Sequence, residues 1–456
     1  MTAIRDEPII EDRHVIHAGV GSTRFSSKEA SKTMKQSIKI IIAATALASW
    51  SGVSQAAEKI VVGNLVDFTG RTAVVGKVYG QAKIDAMAYI NANGGINGKQ
   101  IEALTLDYSY EVPRAIAAYK KWKNEVVAIQ GWGTGDTEAM VSFVAKDEIP
   151  YYSASYSAHL TDPTGKGPET KKPAPYNYFY GPSYSDGVRA LIQWAADDAK
   201  ARGIDKPKYV HMGDNHPYPN APMKAGEEYA KELGFEVLPS IQYSLKPGDF
   251  KAQCLSLKNS GANFAFLANT SGSNISLLKS CDTVSVDVQF MANIWGYDEN
   301  VLKAAGESAD GVVWVMGAAK WGDDVPGMKL VEEISKMSDP DLDEYRAVHY
   351  LRGVCSVYFM KEAMEIADEM DGGINGPNIK QAMYEKKDWV PAGLEGVCLP
   401  ATWNAEDHRG VMDVFVYRGS AKGGEGEIPA LISSGSIGME QVFTAKLPRK
   451  PEWLGW

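Results

Sequence analysis

Residues 126–157 read VVAIQGWGTGDTEAMVSFVAKDEIPYYSASYS. A β-branched apolar run (Val126, Val127, Ile129) leads into Gly131, Gly133, Thr134 and Gly135, and then into an apolar-periodic segment with Ala139, Met140, Phe143 and Val144. That spacing predicts a strand, a glycine turn and a helix. A second apolar run, 149–152, ends in the hydroxyls of Ser153, Ser155, Tyr156 and Ser157. In an open parallel sheet, ligands collect beyond the carboxyl ends of strands, where helix N-termini and short hydroxyl side chains can face an anion. Turn chemistry alone accounts for many such glycines and serines. Trp132 adds the stronger sign, because an indole between two glycines at a strand end suits a pocket wall better than a sheet core.

Outward from this stretch the same alternation recurs. Toward the N-terminus, 60–64 reads as a strand, 79–91 as a helix with Ala82, Ala86, Met87 and Ile90 on one face, NGGING at 93–98 as a turn, 101–107 as a strand and 115–122 as a helix. Strands with a helix between each give a parallel sheet with right-handed crossovers, so the first lobe is a doubly wound α/β unit. A Pro, Gly and Lys-rich loop at 162–176 follows, and then the alternation restarts. Helices are expected at 183–200, 221–233 and 250–259, strands at 208–212, 236–241 and 264–268, then a helix to Cys281, a short strand at 289–292 and a last one at 312–316. Beyond this, 343–370 reads as one long helical region, 379–384 as a shorter helix and 411–417 as a strand, before a Gly- and Pro-rich tail from Gly419 that ends in Trp453 and Trp456. Helices left over after two α/β units pack most simply onto the first, so the chain should cross between lobes more than once.

The chain has 456 residues, enough for two lobes, with 45% hydrophobic and 23% charged residues. Residues 34–56, MKQSIKIIIAATALASWSGVSQA, carry Lys35 and Lys39, an apolar core and small residues Ser54 and Ala56, the pattern of a signal peptide cleaved after Ala56. The apolar run is too short to span a membrane and no cysteine follows it, so neither a membrane span nor a lipid anchor is expected. A periplasmic location follows. Residues 1–33 are polar, precede Met34 and are set aside as a dispensable leader.

The formal net charge is −10, which disfavours nucleic acid and anionic lipid as partners. Export permits disulfides among Cys254, Cys281, Cys355 and Cys398, for which three pairings exist. None has metal-ligand spacing to another, so no metal is assigned. No G-x-S-x-G elbow, H-E-x-x-H helix or P-loop is present. His211, His216, His349 and His408 are scattered, and the acidic run at 339–344 lacks the glycine of a calcium loop. No catalytic residue and no cofactor is assigned, and the chain reads as a binding protein.

The stretch GNLVDFTGRTAVVGKVYGQAKIDAMAYINANGGINGKQIEALTLDYSY, residues 63–110, resembles the opening of the periplasmic Leu/Ile/Val-binding proteins, the type I solute-binding proteins of ABC importers. The likeness extends through Ile149-Pro150 and the 153–157 loop to LPATWNAEDHRG at 399–410. It implies two doubly wound Rossmann-like lobes joined by a three-crossover hinge, with 58–181 plus 318–410 in one lobe and 182–317 plus 411–456 in the other. On that division Cys254 would pair with Cys281 and Cys355 with Cys398, leaving the hinge free. The implied partners are a small-molecule solute and an ABC permease in the inner membrane. A sensor that reports its solute to a membrane receptor would use the same clamp.

The resemblance also implies ligand contacts. Trp132, Gly133 and Thr134, then Ser153, Ala154 and Ser155, would hold a ligand carboxylate, with Tyr156 among the aromatic ligand-binding candidates, while Tyr218 and Thr270 would close from the second lobe. Amino-acid binders place an acid after the following strand to meet the ligand ammonium. Here that segment is ANIWGYDEN, with Ile294 and Trp295 at the place and Tyr297 and Asp298 close by. Burying an ammonium without a countercharge is costly. An aromatic or otherwise hydrophobic organic acid is therefore expected, with a branched-chain or other amino acid or amide as the alternative.

Overall fold

A computed structural model describes residues 58–456. The expectations for the leader 1–33 and the signal peptide 34–56 lie outside the described residues.

The first sheet is built from β1 (Lys59–Val66), β2 (Gln100–Asp107), β3 (Ala128–Gln130), β4 (Tyr151–Ser153) and β5 (Asn177–Phe179), all parallel, in the order β2-β1-β3-β4-β5. β1 lies between two strands and is buried along nearly its whole length, as a doubly covered parallel strand must be. Helices α1 (Ala73–Ala92), α2 (Val112–Trp122) and α3 (Thr134–Asp147) connect these strands. α1 starts six residues ahead of the expected 79. Asp67 is the reason: its carboxylate accepts from the N–H groups of Gly70 and Thr72 and from the Thr72 hydroxyl, which organises the chain at the start of the helix.

After α4 (Tyr184–Ala201) the chain enters the second sheet through β6 (Lys208–Gly213). The helix expected over 221–233 is α6 (Met223–Glu232), which starts after Pro222, and a separate short turn of helix, α5 (Pro217–Asn220), precedes it. Then come β7 (Glu236–Val237), β8 (Ile241–Gln242), α7 (Lys251–Ser260), β9 (Phe264–Leu267), α8 (Ser271–Thr283), β10 (Gln289–Ala292), α9 (Glu299–Ala305) and β11 (Val313–Met316). The chain next returns to the first sheet's side with α10 (Met328–Ser335), α11 (Val348–Asp368) and α12 (Gly376–Ala382). α11 starts later than 343, because the Asp339 carboxylate takes the N–H groups of Asp343 and Glu344 in a turn. It lies along α1 at Gly353, where an added Cβ would stand 2.7 Å from that of Ala82.

A small hairpin, β12 (Thr402–Asn404) with β13 (Asp407–Gly410), precedes the last crossing. β14 (Asp413–Ala421) then pairs antiparallel with β11, and β15 (Ile437–Lys446) pairs antiparallel with β14 beyond the short α13 (Ile428–Ser433). The second sheet thus runs β15-β14-β11-β10-β9-β6-β7, with β8 also on β6. β15 leaves no clear alternation in the sequence because, as an edge strand, it buries only Ile437 and Ala445. Disulfides join Cys254 to Cys281, tying α7 to α8, and Cys355 to Cys398, tying α11 to the segment ahead of β12.

Candidate solute-binding cleft

The carboxyl ends of the two sheets face one another across a closed cavity. The first sheet's side supplies Thr72 and Val75 from the start of α1, Tyr110 after β2, Trp132, Gly133 and Thr134 after β3, and Ala154 after β4. Tyr184 on α4, Tyr218 on α5, Thr270 after β9 and Trp295 after β10 close it. The room left between them is about 20 Å³, space for about one water, so a solute enters only when the walls part.

The glycines around Trp132 answer to close approach. A Cβ on Gly131 would stand 2.1 Å from the Tyr151 ring, and one on Gly133 would stand 2.3 Å from the Tyr110 ring. Between them Trp132 donates from Nε1 to Thr72 Oγ1 at 2.9 Å, and Thr72 donates to Asp67 at 2.5 Å. The turn also rests on Lys83, whose buried ammonium donates to the carbonyls of Leu65 and Gly131 at 2.7 and 3.1 Å. Burial pushes the Lys83 pKa down to about 7.

Helix α3, 14 residues long, begins at Thr134, and α8, 13 residues long, begins after its N-cap Thr270. Both N-termini therefore open at the cavity, which favours negative charge there. Asp136 lies in the first turn of α3, where burial raises its pKa to about 7 and the hydroxyls of Tyr108 and Tyr151, which donate to it, hold that rise back.

Trp295 is the centre of the aromatic wall. Its ring centroid lies 5.2 Å from Trp132, 5.4 Å from Tyr79 and 5.6 Å from Tyr156. Its Nε1 donates to the Tyr184 hydroxyl at 3.1 Å, and Tyr218 donates to Asn293 Oδ1 at 2.9 Å.

Of the residues singled out from sequence, Trp132, Gly133, Thr134, Ala154, Tyr218, Thr270 and Trp295 line the cavity. Ser153 and Ser155 stand behind it: Ser153 Oγ donates to the Ser155 carbonyl, and Ser155 Oγ donates to Thr134 Oγ1. Tyr156 backs Trp295. Tyr297 and Asp298 are elsewhere. Tyr297 turns away to donate to the Ala309 carbonyl and pack on Trp314. Asp298 caps α9 through the Val301 N–H and faces His349. Thr72, Val75, Tyr110 and Tyr184 complete the lining, and the sequence alone assigns none of them a ligand contact. Tyr110 follows directly on a strand end, at a positive φ of 59°, and the strand-end rule would have found it.

The four histidines single out no base. Burial holds His211 and His408 down to about 4, so both are neutral at physiological pH. Among the described residues no group of three or more His, Cys, Asp or Glu side chains could hold a metal ion, and no helix is long and apolar enough to cross a membrane.

Two α/β lobes whose strand ends meet over one cavity define a solute clamp. Residues 59–425 match the family described as periplasmic binding protein, and the chain belongs to that family. It is 21% identical over 338 residues to the leucine-, isoleucine-, valine-, threonine- and alanine-binding protein of Pseudomonas aeruginosa, covering 74% of this chain and 86% of that one. Among solved structures it is similar to an ABC transporter substrate-binding protein of Aeropyrum pernix, with a TM-score of 0.73, 24% identity and coverage of 87% and 98%. It is likewise similar to a fatty acid ABC transporter substrate-binding protein of Thermomonospora curvata, with a TM-score of 0.71, 18% identity and coverage of 86% and 93%.

Proposed function

We propose that this protein is the periplasmic solute-binding component of an ABC importer and that it captures a small organic acid with an aromatic or otherwise hydrophobic body. The observation that carries this reading is the cavity lining: Tyr110, Trp132, Tyr184, Tyr218 and Trp295 with no carboxylate among them, at the N-termini of α3 and α8. Such a wall offers stacking surfaces to an apolar body and two helix ends to an anion, and it holds no carboxylate to pair with an ammonium. Asp298, the acid nearest in sequence to the expected place, is occupied by α9 and His349.

Capture follows from closure: the solute stabilises the closed form because only there do both lobes touch it. The named relatives divide between amino acids and fatty acids, so the test must span both. A thermal-shift screen of the purified protein against aromatic carboxylates, medium-chain fatty acids, branched-chain amino acids and their amides checks it, since tight binding raises the melting temperature. A shift with aromatic or aliphatic acids and none with leucine is expected. A shift with leucine alone would sink the organic-acid reading.

A further inference from the structure

Arg352 lies on α11 directly behind the aromatic wall and is fully buried. Its Nη1 donates to the Ile294 carbonyl at 3.0 Å and meets His349 Nδ1 at 2.8 Å. Its Nε and Nη2 have no hydrogen-bond partner. The guanidinium stacks on the Trp295 indole, 3.8 Å from the ring centroid, with the Tyr156 ring at 5.0 Å. The hydroxyls of Tyr79 and Tyr156, whose rings pack on the same indole, are also buried without partners. Two guanidinium nitrogens and two hydroxyls therefore gather around one indole with no carboxylate among them.

This differs from the chain's other buried guanidiniums. Arg189 has Asp186 at 3.1 Å and Arg409 has Asp407 at 2.6 Å. Arg352 reaches a carboxylate only through His349, whose Nε2 stands 3.3 Å from Asp298. A buried cation without a direct countercharge is costly, and a planar fork with free N–H groups is the preferred partner of a carboxylate. Trp295, which walls the cavity on one side, carries this fork on another.

We propose that Arg352, with the Tyr79 and Tyr156 hydroxyls, forms a second anion subsite behind Trp295, and that the solute is a dicarboxylate with an apolar body between its acidic ends. One carboxylate faces the N-termini of α3 and α8, and the other displaces the edge of Trp295 to reach the guanidinium. The inference rests on the organic-acid reading above and narrows it from acid to diacid.

The test measures Kd by intrinsic tryptophan fluorescence for benzoate against terephthalate, and for butyrate and hexanoate against succinate and adipate, in the wild type, Arg352→Met and Arg352→Lys. In the wild type at least one diacid should bind about 100-fold or more tighter than its mono-acid counterpart. Arg352→Met should abolish that preference, read as the ratio of mono-acid to diacid Kd within each variant, and Arg352→Lys should restore part of it, as a point charge lacks the fork. The ligand-free Arg352→Met protein should also melt higher than wild type, because an uncompensated buried charge has been removed; a residue kept for structure would melt lower. Equal affinity for mono- and diacids in the wild type, or a diacid preference that survives in Arg352→Met, overturns the subsite and leaves the organic-acid reading standing. Binding of none of these acids overturns both.

Discussion

Asp298 Oδ2 and His349 Nε2 face one another at 3.3 Å, both side chains buried, one from the loop after β10 and the other from α11. Burial pushes the His349 pKa down, so the imidazole is neutral at physiological pH. Its Nδ1 receives the Arg352 N–H, which leaves its own proton on Nε2, toward Asp298. The second sheet's lobe is thus tied to α11 through buried polar groups, and the same carboxylate caps α9.

Replacing Asp298 should separate these two roles. Asp298→Asn keeps an oxygen for the Val301 N–H but no longer presents a charge to His349, whereas Asp298→Ala loses both. Chemical denaturation should show a cost of about 1 kcal/mol for Asn and about 2–3 kcal/mol for Ala. Equal costs would mean that the cap contributes nothing.

Glu299 gives a pH signature. It is buried, accepts from the Tyr345 hydroxyl and the Val348 N–H, and has its pKa raised by burial from 4.5 to about 7. Between those values the folded protein holds a proton that the unfolded chain has released, so this group's contribution to stability falls as pH rises through the window. Glu299→Gln should match wild type below about pH 4 and exceed it at pH 8 by on the order of 3 kcal/mol. Parallel stability curves across that range would show that Glu299 does not titrate as inferred.

At Gly353 two opposing effects can be ranked. Alanine is the better helix former by about 1 kcal/mol. Its Cβ would stand 2.7 Å from the Ala82 Cβ and 2.8 Å from the Tyr79 carbonyl oxygen, contacts that force two helices apart. Overpacking of this kind costs about 1–3 kcal/mol, so Gly353→Ala should lower the melting temperature. A higher one would contradict the close approach of α1 and α11.

The disulfides close loops of 27 and 43 residues. Each should contribute about 3–4 kcal/mol by restricting the unfolded chain. The double variant Cys254→Ala, Cys281→Ala should therefore melt lower, with solute affinity unchanged, because α7 and the disulfide end of α8 lie away from the cavity lining. Loss of affinity would show that the bond also positions the start of α8.

Trp132→Ala and Tyr218→Ala should each weaken solute binding by about 10- to 100-fold, the loss of a stacking wall from one lobe or the other. Circular dichroism should show the fold retained. Unchanged affinity in both would mean that the solute sits elsewhere.

Much of this architecture is legible as local pattern. The run at 126–157 contains a strand, a close-packed glycine turn and a helix, and the structure has β3, α3 and β4 there. Strand ends are where such sheets bind, so Trp132, Thr134 and Ala154 could be placed at a cavity without knowing what faced them. The tail was harder to read, because β15 is an edge strand and edges bury too few side chains to alternate. Apolar spacing does not mark where α1 and α11 start, because the carboxylates of Asp67 and Asp339 decide where those helices begin.

The sequence by itself determined the alternation of strands and helices, the two lobes, and the loops that meet at the cleft, because each depends on periodicities within a few turns of chain. Tertiary structure alone decided that Asp298 serves His349 and α9, that Thr72 and Tyr110 enter the cavity wall, and that Arg352 lies against Trp295, 57 positions away in the chain, without a direct carboxylate partner. A side chain's partner across a lobe boundary depends on how separate segments pack, and hydrophobic periodicity carries no record of that.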